Sequence, residues 1–153
     1  MKNILPYENI VYETHLSEND IQNRINDIIR IQNTYKGYST SNAFEIKRNI
    51  NYQNSFSPKI KGEFHNEWGK TIIRVKMKLP SYVIIFLGFW FSFIILIGIL
   101  FPFLIKENEF GVFSLIPYVM LIMGWALTIG AFKFESIRSK KDLQQILEAT
   151  IIK

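Results

Sequence analysis

There is no cysteine anywhere in the 153-residue chain, which excludes disulfides, thiol catalysis, thiolate metal sites and redox chemistry by the protein itself. Also missing are a phosphate-cradling glycine loop and a nucleophile elbow, and the 8 glycines are scattered instead of clustered. No enzymatic activity and no cofactor are expected. The opening Met1-Lys2-Asn3-Ile4-Leu5-Pro6 has too short an apolar stretch for a signal peptide, which takes about 7 to 15 such residues. The absence with the widest consequence is of charge. From Leu79 to Ile105, and again from Phe110 to Phe132, there is no Asp, Glu, Lys, Arg or His.

Those two uncharged runs predict a transmembrane helical hairpin over 80–133, with spans at 80–101 and 114–132. The first, at 1.5 Å per residue, reaches roughly 33 Å, enough for ~30 Å of hydrocarbon. Its Val, Ile, Leu and Phe content gives an insertion drive of about 5 to 9 kcal/mol before polar offsets. The second is weaker, carrying Pro117, Tyr118, Gly124, Thr128 and Gly130, and depends on the first. Ser114 reads as its N-cap and Pro117 as first-turn proline, while Pro102 reads as the end of the first span. Gly88 and Ser92, with Gly124 and Thr128, have small-xxx-small spacing suited to close helix contact. Trp90 and Trp125 lie deep enough to be packing partners, and Tyr82 is the interfacial anchor. Absence of ionisable groups inside the spans argues against a transporter.

Lys and Arg beside the spans set orientation. Lys106 alone lies between them, whereas Lys70, Arg74, Lys76 and Lys78 precede them and Lys133, Arg138, Lys140 and Lys141 follow. A multi-pass protein of the inner (plasma) membrane with both termini cytoplasmic is therefore expected.

The polar remainder reads as an α+β domain over 1–79, joined by a C-terminal helix within 134–153 that packs on it. Residues 9–16 alternate as a strand. Ser17 and Asp20 form a capping box, Leu16 and Ile21 a hydrophobic staple, and Ile21, Ile25, Ile28 and Ile29 one apolar face of a helix over 18–31. Period-two patterns then predict strands at 43–52, 59–66 and 71–79, with a short one near 35–40. Their inward faces are Phe44, Ile46, Ile50 and Tyr52; Ile60, Gly62 and Phe64; and Ile73, Val75, Met77 and Leu79. This is an antiparallel meander with one face covered by helix. The stripe Leu143, Ile146, Leu147, Thr150 and Ile151, capped by Ser139 and Asp142, predicts the last helix. Because that stripe is out of phase with Phe134 and Ile137, a bend after the second span is expected. The element order is similar to helix-grip domains, in which a sheet wraps a C-terminal helix around an apolar ligand.

Glu63, His65 and Glu67 share a strand face at a spacing that could present a metal site, but Lys59 and Lys61 share it too, so ordinary solvated charges are expected and no metal. Lys47, Lys59, Lys61, Arg74, Lys76 and Lys78 give the sheet a basic outer face. The nearest polyanion to such a tethered face is the lipid bilayer, and anionic headgroups are preferred to nucleic acid as its partner, at ~1 kcal/mol per basic residue near the surface. Arg74, Lys76, Lys78, Lys133, Arg138, Lys140 and Lys141 are the candidate membrane-surface residues. The turn Asn54-Ser55-Phe56-Ser57-Pro58 is longer than a hairpin needs. Its polar side chains suit local backbone bonding, with Asn54, Ser55, Phe56 and Pro58 as the candidate docking turn.

The run Phe44-Glu45-Ile46-Lys47-Arg48, the stretch Tyr52-Gln53-Asn54-Ser55-Phe56-Ser57-Pro58-Lys59-Ile60-Lys61-Gly62 and the segment Phe134-Glu135-Ser136-Ile137-Arg138-Ser139-Lys140-Lys141-Asp142-Leu143 resemble a family of small uncharacterised bacterial two-span membrane proteins with an N-terminal cytoplasmic α+β domain. The resemblance implies architecture and no activity. A membrane-anchored interaction or headgroup-sensing module is the leading expectation. An oligomeric pore or effector and a helix-grip-like binder of apolar ligands are the alternatives, and protein partners and oligomeric state stay open.

Overall fold

A computed structural model describes residues 5–49, 54–104 and 115–152. Strand β1 (Tyr7–Thr14) alternates strictly, burying Glu8, Ile10, Tyr12 and Thr14. Helix α1 (Glu18–Arg30) starts where the Ser17 side chain accepts from the Asp20 amide and Asp20 reaches back, closing the capping box. Its apolar stripe of Ile21, Ile25 and Ile28 is fully covered, and Leu16 and Ile29 pack at the rim.

Strands β2 (Tyr35–Ser39), β3 (Ala43–Arg48), β4 (Lys59–Glu67) and β5 (Lys70–Lys78) follow. Trp68 and Gly69 make the β4–β5 turn at φ of 53° and 81°; positive φ at both central positions matches the right-handed twist of the strands it joins. Two-residue strand β6 (Thr150–Ile151) closes a six-stranded antiparallel sheet of order β2-β3-β4-β5-β1-β6. One face of the sheet is the core, where Ile10, Tyr12, Phe44, Ile46, Ile60, Phe64, Ile73, Val75 and Met77 meet α1 and the C-terminal part of the last helix. The meander with its helix-covered face is thus as its sequence pattern predicts, although β3 is shorter and Ile50 and Tyr52 lie outside the described residues.

Helices α2 (Ser81–Leu104) and α3 (Ile116–Ile146) are long and apolar enough to cross a membrane. Only 17% of the most apolar stretch of each is buried, the reverse of what the core helix of a globular protein shows. Trp90 fills the space over Gly124, where an added Cβ would meet it at 2.5 Å, and Phe91 bridges Trp90 and Trp125 with ring centroids at 5.2 and 6.2 Å.

Five expectations change. Gly88 has no neighbour within 4 Å and Ser92 is exposed, and α2 meets its partner through Trp90, Phe91 and Gly98 instead. The first long helix continues through Pro102 to Leu104. The N-cap residue of α3 is Leu115, and Ser114 lies outside the described residues. Finally, α3 is one uninterrupted helix past the end of the apolar span. It runs for 31 residues, about 46 Å, from the apolar segment onto the sheet. The buried stripe is Phe132, Glu135, Ser136, Ser139 and Leu143, which is in phase throughout, while Phe134 and Ile137 are 54% and 52% exposed. The phase is carried by two serines small enough for close approach to the sheet. The helix then stops at Ile146, and Thr150 and Ile151 pair with Glu13 and Tyr12 as strand instead of extending it.

Candidate functional site

The antiparallel register lines up residues that are far apart in sequence. At the end of the sheet from which β5 leads through Leu79 and Pro80 into α2, the direct cross-strand partners are Lys36↔Lys47, Lys47↔Lys59, Lys59↔Lys78 and Lys78↔Tyr7. Directly opposed side chains share a face with Cβ atoms about 5 Å apart, so four lysines stand in one row on the outer face. Two residues farther from α2 the row reads Tyr38, Glu45, Lys61, Lys76 and Asn9. Beyond it come Glu63 with Arg74, His65 with Ile72 and Glu13, and Glu67 with Lys70. Positive charge is concentrated at the α2 end, and carboxylates gather toward the opposite end.

The pairing of these charges is uneven. Glu45 is held between Lys59 and Lys61, the latter at 2.7 Å, and these ammonium groups keep its carboxyl below the usual range. Lys70 pairs with Glu13, His65 with Glu67, and Arg74 with Glu67 at 3.8 Å. Among the described residues Lys36, Lys47, Lys76 and Lys78 have no acidic partner. Lys47 stands over the Tyr82 ring at 6.0 Å and Lys78 over that of Tyr7 at 5.7 Å. Like charges placed directly opposite one another destabilise a strand pair, so this row costs stability unless an anion lies against it.

On the inner face, α3 meets the sheet through ion pairs. Glu8, 6% exposed, takes both Lys133 and Lys140. Burial, the largest single influence, raises its pKa, but the two ammonium groups and the Ser136 hydroxyl together outweigh it and hold the carboxyl below its ordinary value. Arg48 reaches Glu135 at 3.9 Å and Asp142 at 3.4 Å. Tyr35 donates to Asp142 at 3.0 Å, and burial together with that carboxylate pushes its phenol up.

The sequence candidates are therefore divided. Lys76 and Lys78 belong to the outer basic face, and Arg74 lies next to it. Lys133 and Lys140 turn inward to Glu8; Arg138 lies over the Phe134 ring at 4.1 Å, and Lys141 is exposed. The turn at Asn54 docks within the chain. Asn54 accepts from the Phe56 amide at 3.0 Å and donates to Glu135 at 3.3 Å, Phe56 packs on the core, and Ser57 and Pro58 are buried, leaving Ser55 exposed. Sequence reasoning misses Lys36, whose outward position shows only once β2 and β3 are registered as a hairpin, and Glu8, which lies before the start of the predicted first strand. Among the described residues no group of three or more His, Asp or Glu could hold a metal ion, the Glu63, His65 and Glu67 set included. No family model, no curated protein and no solved structure matches this chain.

Proposed function

We propose that α2 and α3 form a transmembrane hairpin and that the chain is a non-enzymatic, membrane-anchored module whose sheet engages anionic headgroups of the inner leaflet through its lysine row. The row carries this reading: four ammonium groups opposed in register, only one of them paired with a carboxylate among the described residues, at the end of the sheet where the first apolar helix departs. Each basic residue near an anionic surface is worth ~1 kcal/mol, which more than offsets the mutual repulsion within the row. The excess of Lys and Arg outside the hairpin puts the sheet, and both chain termini, on the cytoplasmic side of the plasma membrane. The unbroken α3, clamped to the sheet by Glu8, Lys133 and Lys140, would keep the row at a fixed height.

The test uses the full chain in nanodiscs of neutral or anionic phospholipid, with acylation of lysines by a water-soluble reagent read by mass spectrometry. Lys36, Lys47, Lys59 and Lys78 should react several-fold more slowly in anionic discs, with the difference erased by high salt, while Lys70 at the far end reacts equally in both. Equal reactivity of the row in the two lipids would refute the proposal.

A further inference from the structure

Between the outer face of β2, β3 and β4 and the first turn of α2 lies a pocket of about 390 Å³. Lys36, Lys47 and Lys59 line one side, and Ser81 and Tyr82 the other. Its volume is at the lower end of the range for small-molecule sites. We infer that it is a binding site for a single phosphate group, with preference for a phosphate monoester. The lipid source of that group rests on the membrane-surface reading above; the phosphate chemistry does not.

Three features converge on one anion. The three lysines are consecutive members of the cross-strand row, so their side chains project together over one small area. Their compensation is incomplete. Glu45, also at the pocket wall, bonds Lys59 but is shared with Lys61, and neither Lys36 nor Lys47 has a carboxylate among the described residues. The third is the start of a 24-residue helix with no acidic residue in its first turn. The amides of Ser81 and Tyr82 precede the first helical hydrogen bonds, which Val83 and Ile84 make to the Pro80 carbonyl at 3.0 and 3.2 Å, so the positive end of the helix faces the same space. The Lys47 ammonium over the Tyr82 ring ties the basic wall to the helical one.

The preference for a monoester follows from charge. A diester carries one negative charge. A monoester loses its second proton near pH 6 and does so more readily beside ammonium groups. Three lysines and a helix terminus therefore gain more from the monoester, whereas a diffuse basic surface would respond to the total charge of the bilayer alone. Phosphatidic acid is such a monoester within a membrane, and glycerol 3-phosphate presents the same group in solution.

Native mass spectrometry of the full chain in neutral detergent separates these cases. Phosphatidic acid should be retained about tenfold more strongly than phosphatidylglycerol. The double variant K36A/K47A should lose that preference, and R74A/K76A, which removes the same charge from β5 outside the pocket, should keep it. Glycerol 3-phosphate displacing phosphatidic acid would support one phosphate site open to both sources; binding of glycerol 3-phosphate without phosphatidic acid would support the site with a soluble source. Equal retention of the two lipids without binding of glycerol 3-phosphate, or equal loss in the two double variants, would overturn the pocket. The lysine footprint in anionic nanodiscs would survive that result, because it requires the row and not the pocket.

Discussion

Glu8 illustrates how a single buried charge can hold two parts of this molecule together. Its carboxylate comes from the first strand, and its partners Lys133 and Lys140 lie two turns apart on α3. Because its pKa is lowered in the folded chain relative to the ordinary 4.5, the stability it contributes is complete above the ordinary carboxylate range. That contribution is lost as pH falls through the lowered folded-state value. E8Q leaves two lysines facing a neutral amide and should cost about 3 kcal/mol, the low end for breaking a buried pair, since both lysines stay partly solvated. Thermal melts of the full chain in neutral detergent should show the variant less stable at pH 7 and less sensitive to acidification than the parent. A second residue-scale case is Gly62, directly opposite Phe44 on the core face. An added Cβ would lie 2.2 Å from the Phe44 ring, so G62A should destabilise by about 1 to 3 kcal/mol through overpacking, visible in the same melts.

At the scale of elements, legibility in the sequence follows how much of each element's burial is apolar. Helix α1 announces itself by a capping box and an isoleucine stripe, and β3, β4 and β5 by strict alternation, because apart from Thr71 in β5 no buried side chain in them is polar. The middle of α3 does not, since between Phe132 and Leu143 its buried positions are Glu135, Ser136 and Ser139, and a hydrophobicity pattern scores those positions as solvent-facing. It finds Phe134 and Ile137 instead, on the wrong side. Strand β6 is too short, with both residues exposed, to leave a periodic trace. The contrast sets up a paired prediction. S139L, conservative by pattern, should destabilise by about 1 to 3 kcal/mol because the position has no room, whereas I137S should stay within about 0.5 kcal/mol. Chemical denaturation of the two variants in the same detergent decides between a continuous α3 and one bent at its serines.

Over the whole molecule, the feature proposed to matter most is a product of pairing. Lys36, Lys47, Lys59 and Lys78 become neighbours only through three hairpin registers, so the sequence shows a basic face but not its gradient toward α2. That gradient has a direction, and the direction fixes an orientation that can be tested without perturbing the row. The chain has no native cysteine, so a single introduced thiol reports its own side of the membrane. Trp68, fully exposed in the turn at the opposite end of the sheet from α2, and Asn108, between the two apolar helices, should lie on opposite sides. In intact cells a membrane-impermeant maleimide should label N108C at once and W68C only after permeabilisation. The reverse pattern would put the lysine row on the outer side, against the charge asymmetry that governs insertion, and labelling of both thiols only after permeabilisation would mean that the two helices do not span at all. Because W68C removes a side chain with no packing partners to lose, a change in its labelling reports topology and not a damaged fold.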